Sequence, residues 1–303
     1  MAEDIPFDRS FDAPPKTVVQ VSPLIRRVVA GNASPFTFTG TCSYIVGRGT
    51  VAIIDPGPED AGQTAALLAA VGGETVSHIV ITHTHRDHSP GAVALKAATG
   101  ALVVGCGPHI AARDANATEA RRLDASADMA YAPDRVLADG ETLDFNGLSL
   151  QAVATPGHTM NHLAFAFAAE NALFSGDHVM GWSTTIVAPP DGAMGPYMAS
   201  LDKLRTRNDA IYWPGHGGPV SEPQRFVRAI ASHRRARETA ILQRLKAGDR
   251  LIAQIVPRLY DGLDPRLHGA AALSVFAHLE DMVQRGIASS DGPAALDSVY
   301  EAA

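Results

Sequence analysis

The first two thirds of the chain alternate short apolar runs with turns and with segments of helical periodicity. Six runs have the length and apolar content of buried strands, and they lie at 42–47, 51–55, 77–82, 148–155, 162–168 and 172–175. Helices are predicted between them at 60–71 and 196–206, the second beginning at a proline. Strands that alternate with helices in this way predict a layered α/β fold.

After residue 221 the pattern becomes almost entirely helical. One long helix is predicted from Glu222 to a stop at Gly248, with further helices at 249–260 and 265–286. In the last of these, apolar residues recur at helical spacing, at Leu273, Phe276, Leu279 and Val283. A short turn and a final segment follow. The predicted outline is therefore three helices and a small terminal hairpin, as in a winged helix.

Length and composition agree with two folded domains, predicted as residues 1–221 and 222–303. The 303 residues are 46% apolar and 19% charged, which is typical of a globular protein. No apolar stretch approaches the length of a membrane span, and the acidic, proline-rich start does not resemble a secretory signal or a transit peptide. Cys42 and Cys106 form no CxxC pair, which argues against a disulfide framework or a thiolate zinc site. We therefore expect a cytoplasmic protein without membrane partners.

The charge pattern bears on nucleic-acid partners. The net charge of −7 argues against a dedicated binder of duplex DNA. Residues 1–220 contain 14 Lys and Arg against 22 Asp and Glu, whereas residues 221–303 contain 11 against 10. The near-neutral tail leaves a nucleic-acid hypothesis open, although a helical cap or a homodimer surface is the favoured interpretation.

The stretch VITHTHRDHSPGA (80–92) places three histidines and an aspartate within six residues, directly after an apolar run. Burying a carboxylate beside three imidazoles is costly unless a partner compensates it, and one or two divalent cations would do so. His83 and His85 are two residues apart at a strand end, so both side chains leave the same face and suit one metal. Asp87 and His88 follow in a loop, which can direct them to a second centre.

Three distant residues complete this set, each in a glycine-containing turn after a predicted strand. TPGHT supplies His158, FSGDH supplies Asp177 and WPGHGGP supplies His216. Glycine suits such turns because the backbone must bend sharply while it directs one side chain inward. Seven nitrogen and oxygen ligands without cysteine suit two borderline cations such as Zn²⁺, with Mn²⁺ or Fe²⁺ as alternatives.

The ordered pattern HxHxDH…H…D…H resembles that of the metallo-β-lactamase superfamily, and the resemblance covers essentially the whole chain. It implies an αββα sandwich followed by a small winged-helix-like domain. It also implies a first metal on His83, His85 and His158, a second metal on Asp87, His88 and His216, and a bridging Asp177. The runs SHRRARETAILQRL and SGDHVMGWSTT, together with the helical tail, resemble the subgroup typified by β-lactamase-like protein 2.

The resemblance implies a hydrolase with two metal ions, in which a bridging hydroxide attacks the substrate. Asp87 is expected to be catalytic as well as ligating, because it can orient the bridging water and carry its proton. The expected substrate is a small-molecule ester, thioester, lactone or lactam. The subgroup implies an alternative, a single-strand endoribonuclease whose tail would meet RNA phosphates through Arg234, Arg235 and Arg237.

Two other classes of function fit the sequence less well than the hydrolase. A metal-dependent DNA-binding regulator would use the winged helix, but the helix predicted at 265–286 has few basic residues to meet phosphate. A mononuclear iron dioxygenase would not need Asp87, His88 and His216 as ligands. A nuclease should carry a basic track with aromatic residues near the site, and the sequence has no evident basic run near the ligand motifs.

Several residues near the ligand motifs have two interpretations. Asp55 in IIDPG either supports a ligating histidine or forms the turn before Pro-Gly. His162 either contacts substrate or is a hydrogen-bonded strand histidine, and His178 is expected to point away from the site because it adjoins Asp177. Candidates to line a substrate cleft, in a stretch that also fits a plain surface loop, are Ser183, Thr184, Thr185 and Tyr197. The histidines interpreted as helix or surface residues are His78, His109, His233, His268 and His278.

Overall fold

Two β-sheets form the centre of the first 220 residues. The computed structural model describes residues 5–264 and 267–303. The first sheet has seven strands, which neighbour one another in chain order: β1 (Val18–Ser22), β2 (Ile25–Val29), β3 (Cys42–Arg48), β4 (Thr50–Ile54), β5 (Thr75–Ile81), β6 (Leu102–Gly105) and β7 (Arg135–Val136). Pairing is antiparallel from β1 to β4 and parallel from β4 to β7. Parallel neighbours need long crossovers, and helices supply them here.

The second sheet has five strands: β8 (Thr142–Phe145), β9 (Leu148–Ala154), β10 (Leu163–Phe167), β11 (Ala172–Gly176) and β12 (Ile211–Pro214). Their spatial order is β12-β11-β10-β9-β8. Only the pair of β11 and β12 is parallel among these neighbours. A 3₁₀ turn at Ala168–Glu170 connects β10 with β11.

Helices cover both outer faces of the sheets. They are α1 (Ala61–Val71), α2 (Gly91–Thr99), α3 (Ala117–Ser126), α4 (Met194–Leu204), α5 (Pro223–Lys246), α6 (Ile252–Leu259) and α7 (His268–Gln284). α1 and α2 contribute to the core of the first sheet, and α4 and the start of α5 pack on the second sheet. The layers are thus α/β/β/α, and the predicted sandwich is confirmed. Within the described residues, no helix is both long enough and apolar enough to cross a membrane.

The two sides of the second sheet explain why β10 contains no polar residue. Phe165 and Phe167 lie in the core between the sheets, together with Ile53 of β4. Ala164 and Ala166 lie in the other core, against the outer helices. Alternate residues leave a strand on opposite faces, and a strand that is buried on both faces is apolar throughout.

The tail folds around its own core. Three helices are followed by a hairpin of β13 (Ala288–Ser290) and β14 (Tyr300–Ala302), so the predicted winged-helix outline is confirmed. Phe276 and Leu279 are fully buried in this core, as the apolar stripe predicts. Leu273 is only half-buried and lines a cleft that is described below.

α5 takes part in both cores. Ile230, in its first half, packs with the second sheet, whereas Ile241 packs within the tail. One continuous helix therefore connects the two bodies, and the domain boundary between residues 221 and 222 stays a prediction.

Most predicted elements form within two residues of their predicted ends. α1 begins after Asp60, whose side chain accepts hydrogen bonds from the first helical N–H groups. α4 begins at Met194 rather than at Pro196, because a proline is tolerated in the first turn, where N–H groups have no helical acceptor. The predicted start of the third tail helix, at 265–266, lies outside the described residues.

The first prediction concerns α2, which follows the histidine loop directly. Leu95 of α2 is fully buried in the core, whereas Leu102 of β6 is 51% exposed. We expect Leu95→Ala to lower the free energy of unfolding by about 2–5 kcal/mol. Leu102→Ala, the same chemical change at an exposed position, should cost less than about 1 kcal/mol. Urea denaturation measures both, and equal losses would contradict the described packing of α2.

Candidate metal centre

All seven predicted ligands lie in loops at one end of the two sheets. The loop between β5 and α2 carries four of them, and the other three follow β9, β11 and β12. The structure brings their side chains together into two adjoining groups. The first group is His83, His85, His158 and Asp177, and the second group is Asp87, His88 and His216.

The first group surrounds a single point with three ring nitrogens and one carboxylate oxygen. His85 Nδ1 lies 3.1 Å from His83 Nε2 and 3.0 Å from His158 Nε2. Asp177 Oδ2 is 3.6 Å from His158 Nε2 and 4.0 Å from His83 Nε2. Three imidazoles and one carboxylate are a donor set that suits zinc.

The second group lies on the other side of Asp177. His88 Nε2 and His216 Nε2 are 3.3 Å apart, and Asp87 Oδ2 lies 3.5 Å and 3.2 Å from them, respectively. Asp177 reaches this group as well, with Oδ1 3.4 Å from His88 Nε2 and Oδ2 3.2 Å from His216 Nε2. Its carboxylate therefore lies between the two groups, in the position predicted for a bridging ligand.

The hydrogen bonds of the rings show that this donor set fits cations. Each of the five histidines donates its outward N–H to an acceptor: Thr82 Oγ1 for His83, Asp191 for His85, Asp55 for His88, the Ile186 carbonyl for His158 and the Gly40 carbonyl for His216. The inward nitrogen of a neutral ring then carries only a lone pair. Asp177 Oδ1 is buried and makes no hydrogen bond with any described group. Lone pairs that face one another at about 3 Å call for positive charge between them.

Asp55 supports ligands of both groups. Its Oδ2 accepts hydrogen bonds from His88 Nδ1 (2.9 Å) and Thr82 Oγ1 (2.6 Å), and its Oδ1 accepts from the Thr82 N–H (2.8 Å). Thr82 Oγ1 in turn accepts from His83 Nδ1. Asp55 also has a left-handed backbone, with φ 48°. These contacts favour the interpretation of Asp55 as support for ligating histidines over that of a turn-forming residue.

Burial and neighbouring charges set the protonation of the rings. Burial lowers the pKa of His83 well below its usual range, and burial with repulsion from His85 lowers the pKa of His158 to about 4. Such rings are neutral at pH 7, as ligands must be. Burial also acts to lower the pKa of His216, but the carboxylates of Asp177 and Asp87 together outweigh it and raise that pKa to about 10. When no cation is bound, the proton on His216 therefore balances the negative charge of the carboxylates around it.

His162 and His178 are buried behind the centre. His162 Nε2 accepts a hydrogen bond from the Asp177 N–H (3.1 Å), and its Nδ1 lies 2.8 Å from Thr155 Oγ1. These contacts favour the hydrogen-bonded interpretation of His162 over substrate contact. His178 packs against Tyr197, with ring centroids 4.5 Å apart, and so points away from the ligands as expected.

The expectation of a helix or surface position is wrong for His109 and His78. His109 lies in the loop after β6 with a buried side chain, 3.1 Å from Thr84 Oγ1 and 3.6 Å from Asp191 Oδ1. His78 is a half-buried residue of β5. Neither position has a local sequence signal, because burial there depends on neighbouring loops. Three histidines do lie in helices, His233, His268 and His278.

A cleft of about 590 Å³ opens above the ligands. Its walls come from residues 32–37, from α3, from α7 and from the loop before α4. The four predicted lining residues, three in that loop and Tyr197 in α4, are not among the residues that line the cleft. Thr185 and Tyr197 instead turn inward and donate hydrogen bonds to backbone carbonyls at Asp177 and His178. The loop residues that do line the cleft are Ile186, Ala188, Pro189, Pro190 and Asp191.

Sequence reasoning missed two residues that hold ligands. Asp191 Oδ2 accepts a hydrogen bond from His85 Nε2 at 2.7 Å. It stands in a Pro-Pro-Asp-Gly turn, a context like that of the predicted ligands, and this signal could have identified it. Thr41 Oγ1 donates to Asp87 Oδ2 at 3.1 Å, but nothing local to Thr41 indicates this contact.

The arginines considered for RNA contact do not form an open basic face. Arg234 is buried and donates to the Thr185 carbonyl. Arg237 donates to the Leu259 carbonyl at 2.9 Å, and exposed Arg235 lies 3.3 Å from an oxygen of Asp202. The expectation that all three meet phosphate is wrong for Arg234, because its guanidinium group lies inside the protein.

Comparison with known proteins defines the class of this chain. Residues 36–216 match the model of the metallo-β-lactamase superfamily, and residues 252–295 match that of the β-lactamase-associated winged helix domain. The first match covers more than half of the chain, so the protein belongs to the metallo-β-lactamase superfamily. It is a metallo-hydrolase of that superfamily with a histidine and aspartate cluster that can bind metal ions. The family resemblance seen in the sequence is confirmed.

Individual relatives align with between 76% and 89% of this chain. A β-lactamase-like protein 2 homolog of Drosophila melanogaster is 30% identical over 89% of this chain and 91% of its own length. An atrochrysone carboxyl ACP thioesterase of Aspergillus fumigatus is 28% identical over 88% and 81%, respectively. A lactamase-like protein of Pestalotiopsis microspora is 31% identical over 76% of this chain, which spans 65% of that relative. The fold matches a β-lactamase domain protein from Burkholderia ambifaria, with TM-score 0.78, 20% identity and 96% of both chains covered.

The second prediction tests the hydrogen bonds behind the rings. In Asp55→Asn the new amide can donate to His88 Nδ1, which would move the ring proton to Nε2 and block the lone pair that faces the centre. We expect metal affinity to fall about 10- to 100-fold, as is usual when a group behind a ligand is changed. Asp60→Asn is the control, because Asn caps a helix as well as Asp. Titration with zinc measures both variants, and unchanged affinity in Asp55→Asn would contradict this role.

Proposed function

We propose that this protein is a two-zinc hydrolase that cleaves thioesters of apolar acyl groups. The observation that carries the proposal is the position of the seven donors, five of which form the floor of a cleft with largely apolar walls. Ester, lactone and lactam substrates share the same carbonyl chemistry. The thioester is preferred because relatives carry thioesterase names and because of the charges at the cleft.

The walls of the cleft suit an acyl group. The apolar side chains that line it include Phe36, Leu123, Met180, Ile186 and Leu273. They come from four separate parts of the chain, so the apolar surface surrounds the approach to the ligands. Burying such side chains against an acyl chain releases about 25 cal/mol for each Å² of apolar surface.

Two arginines at the cleft suit an anionic carrier. Arg86 and Arg122 line the cleft and are exposed. Arg86 Nε donates to the Ala127 carbonyl, which holds the guanidinium group in place. Among the residues whose side chains the structure describes, no carboxylate lies within 4.0 Å of either guanidinium group, whereas Glu119 in the same cleft is paired with Arg113 at 2.8 Å. Arginine binds phosphate well, so a thiol carrier that bears phosphate fits the part of the cleft lined by Arg86 and Arg122.

The residues of the floor define how the reaction would proceed. Two bound cations would supply a water of lowered pKa and would polarise the thioester carbonyl. Asp87 is the ligand most open to the cleft, with a side chain 26% exposed against 15% for His85. Burial acts to raise the pKa of Asp87, but the charge of His88 and the charge and hydrogen bond of His216 together outweigh it and lower that pKa, so the carboxylate is ionised. Asp87 can therefore hold the attacking water, accept its proton and return it to the leaving thiolate.

The third prediction tests the metal number and the substrate class together. Protein purified without chelator should contain close to two equivalents of zinc by elemental analysis. It should hydrolyse acyl thioesters faster than β-lactams or single-stranded RNA, and Asp177→Ala should remove activity because both metals lose a ligand. One equivalent of iron without a second site would contradict the proposal. Cleavage of single-stranded RNA that exceeds thioester hydrolysis would favour the ribonuclease alternative instead.

The fourth prediction concerns the carrier. Arg122→Gln should raise KM for an acyl-CoA about tenfold with little change in kcat, because a hydrogen bond to a charged group contributes about 1.5 kcal/mol or more. An acyl-N-acetylcysteamine has no phosphate, so its KM should not change. Arg121→Gln is the matched control, since Arg121 is exposed on α3 but does not line the cleft. Equal KM changes for both thioesters would exclude a phosphate contact.

A further inference from the structure

One loop, residues 183–191, contacts three of the four residues of the first ligand group, His85 and His158 through their rings and Asp177 through its backbone carbonyl. Its hydrogen bonds to them are Thr185 Oγ1 to the carbonyl of Asp177 (2.6 Å), His158 Nδ1 to the carbonyl of Ile186 (2.7 Å) and His85 Nε2 to Asp191 Oδ2 (2.7 Å). Each bond fixes the outward side of a ligand. The position of the 183–191 loop therefore sets the direction of the atoms that face the metal.

The second ligand group is held from other parts of the chain. Its contacts within the described residues are Asp55 to His88, the Gly40 carbonyl to His216 and Thr41 to Asp87. Asp177 is the one ligand that both groups share. A displacement of the 183–191 loop should thus affect the first group far more than the second.

The 183–191 loop is itself held by the helical tail. Arg234 of α5 donates to the Thr185 carbonyl and, through Nη1, to Ser274 Oγ of α7 at 3.3 Å. Its guanidinium carbon lies 5.2 Å from the ring centroid of Tyr197. The Tyr197 hydroxyl donates to the carbonyl of His178, next to the bridging aspartate. Arg234 is only 3% exposed, so these contacts are shielded from water.

The guanidinium group of Arg234 contributes hydrogen bonds that an apolar side chain packed at the same position would lack. Burying a charge costs free energy unless hydrogen bonds offset it, and an apolar side chain could pack α5 without this cost. The planar guanidinium group can hydrogen-bond a loop carbonyl and a tail hydroxyl at the same time, so it fixes the orientation of the loop relative to the tail. The bonded carbonyl belongs to Thr185, directly before the carbonyl that accepts from His158.

We propose that Arg234 is a positioning residue for the first metal. It connects the helical tail to the Thr185–Ile186 segment and, through that segment, to His158 and Asp177. The tail would then be part of the metal centre although none of its residues is a ligand. This inference rests on the two-metal site of the proposed function.

The test measures zinc binding rather than activity. Arg234→Met removes the donors at nearly constant length, and we expect one of the two equivalents to bind about 10- to 100-fold more weakly while the other is unchanged. Arg234→Lys keeps one donor for the Thr185 carbonyl and should recover part of the loss. Zinc titrations of His158→Ala and Asp87→Ala identify which equivalent belongs to which group.

Two controls separate positioning from general destabilisation. Arg235→Met changes the exposed neighbour, whose ion pair with Asp202 lies away from the loop, and it should keep both affinities. Ile241→Ala weakens the tail core without contact to the loop, and it should lower the thermal stability but not the zinc affinity. The proposal would be overturned if Ile241→Ala lost affinity for the same zinc equivalent. It would also be overturned if Arg234→Met bound both zinc equivalents more weakly to the same extent.

The wild-type protein distinguishes this inference from the function on which it rests. A wild type that binds fewer than two zinc equivalents would contradict the proposed function, whatever the variants do. A wild type with two equivalents whose Arg234→Met variant keeps both affinities would overturn only the role of Arg234.

Discussion

The structure depends on one electrostatic constraint, the convergence of five imidazole rings and two carboxylates at the end of a β-sandwich. The ring nitrogens of neighbouring histidines approach to between 3.0 and 3.3 Å. Rotation cannot relieve this repulsion, because each ring also donates its outward N–H to a fixed acceptor. The polypeptide therefore folds around a place that only positive charge can stabilise. Metal binding should accordingly contribute to stability as well as to chemistry.

The same convergence explains the glycines beside the ligands. A Cβ on Gly157 would lie 2.3 Å from the Tyr197 backbone, and one on Gly215 would lie 2.3 Å from Asp177 Oδ1. Real Cβ atoms do not approach so closely, so any side chain there would displace a turn that carries a ligand. The sequence pattern suggests that glycine permits a sharp bend, and Gly157, with φ 136°, agrees with this. At Gly215 the stronger reason is the close packing of ligand turns against each other.

Local chemistry decided what could be predicted from the sequence. The seven ligands were recognisable because each lies in a short pattern at a strand end, and β10 because its apolar run is unbroken. β2 was missed since its sequence, IRRVV, has two adjacent arginines, and these are buried only through distant partners, Glu74 for Arg26 and the Phe11 ring for Arg27. Asp191 and Arg234 act across more than 40 residues. Contacts of that kind arise from the packing of loops, so the sequence around either residue gives no signal from which they could be predicted.

The geometry of the tail also bears on how its winged helix is used. A winged helix that reads DNA must present one helix to the groove with its side chains free. In α7 the residues from Val275 to Glu280 are buried, and Glu280 forms an ion pair with Arg113 of the first domain at 2.6 Å. Leu273, one turn earlier, lines the cleft above the ligands. The buried side of α7 thus packs in the tail core and against the first domain, and Leu273 places the helix at the edge of the cleft.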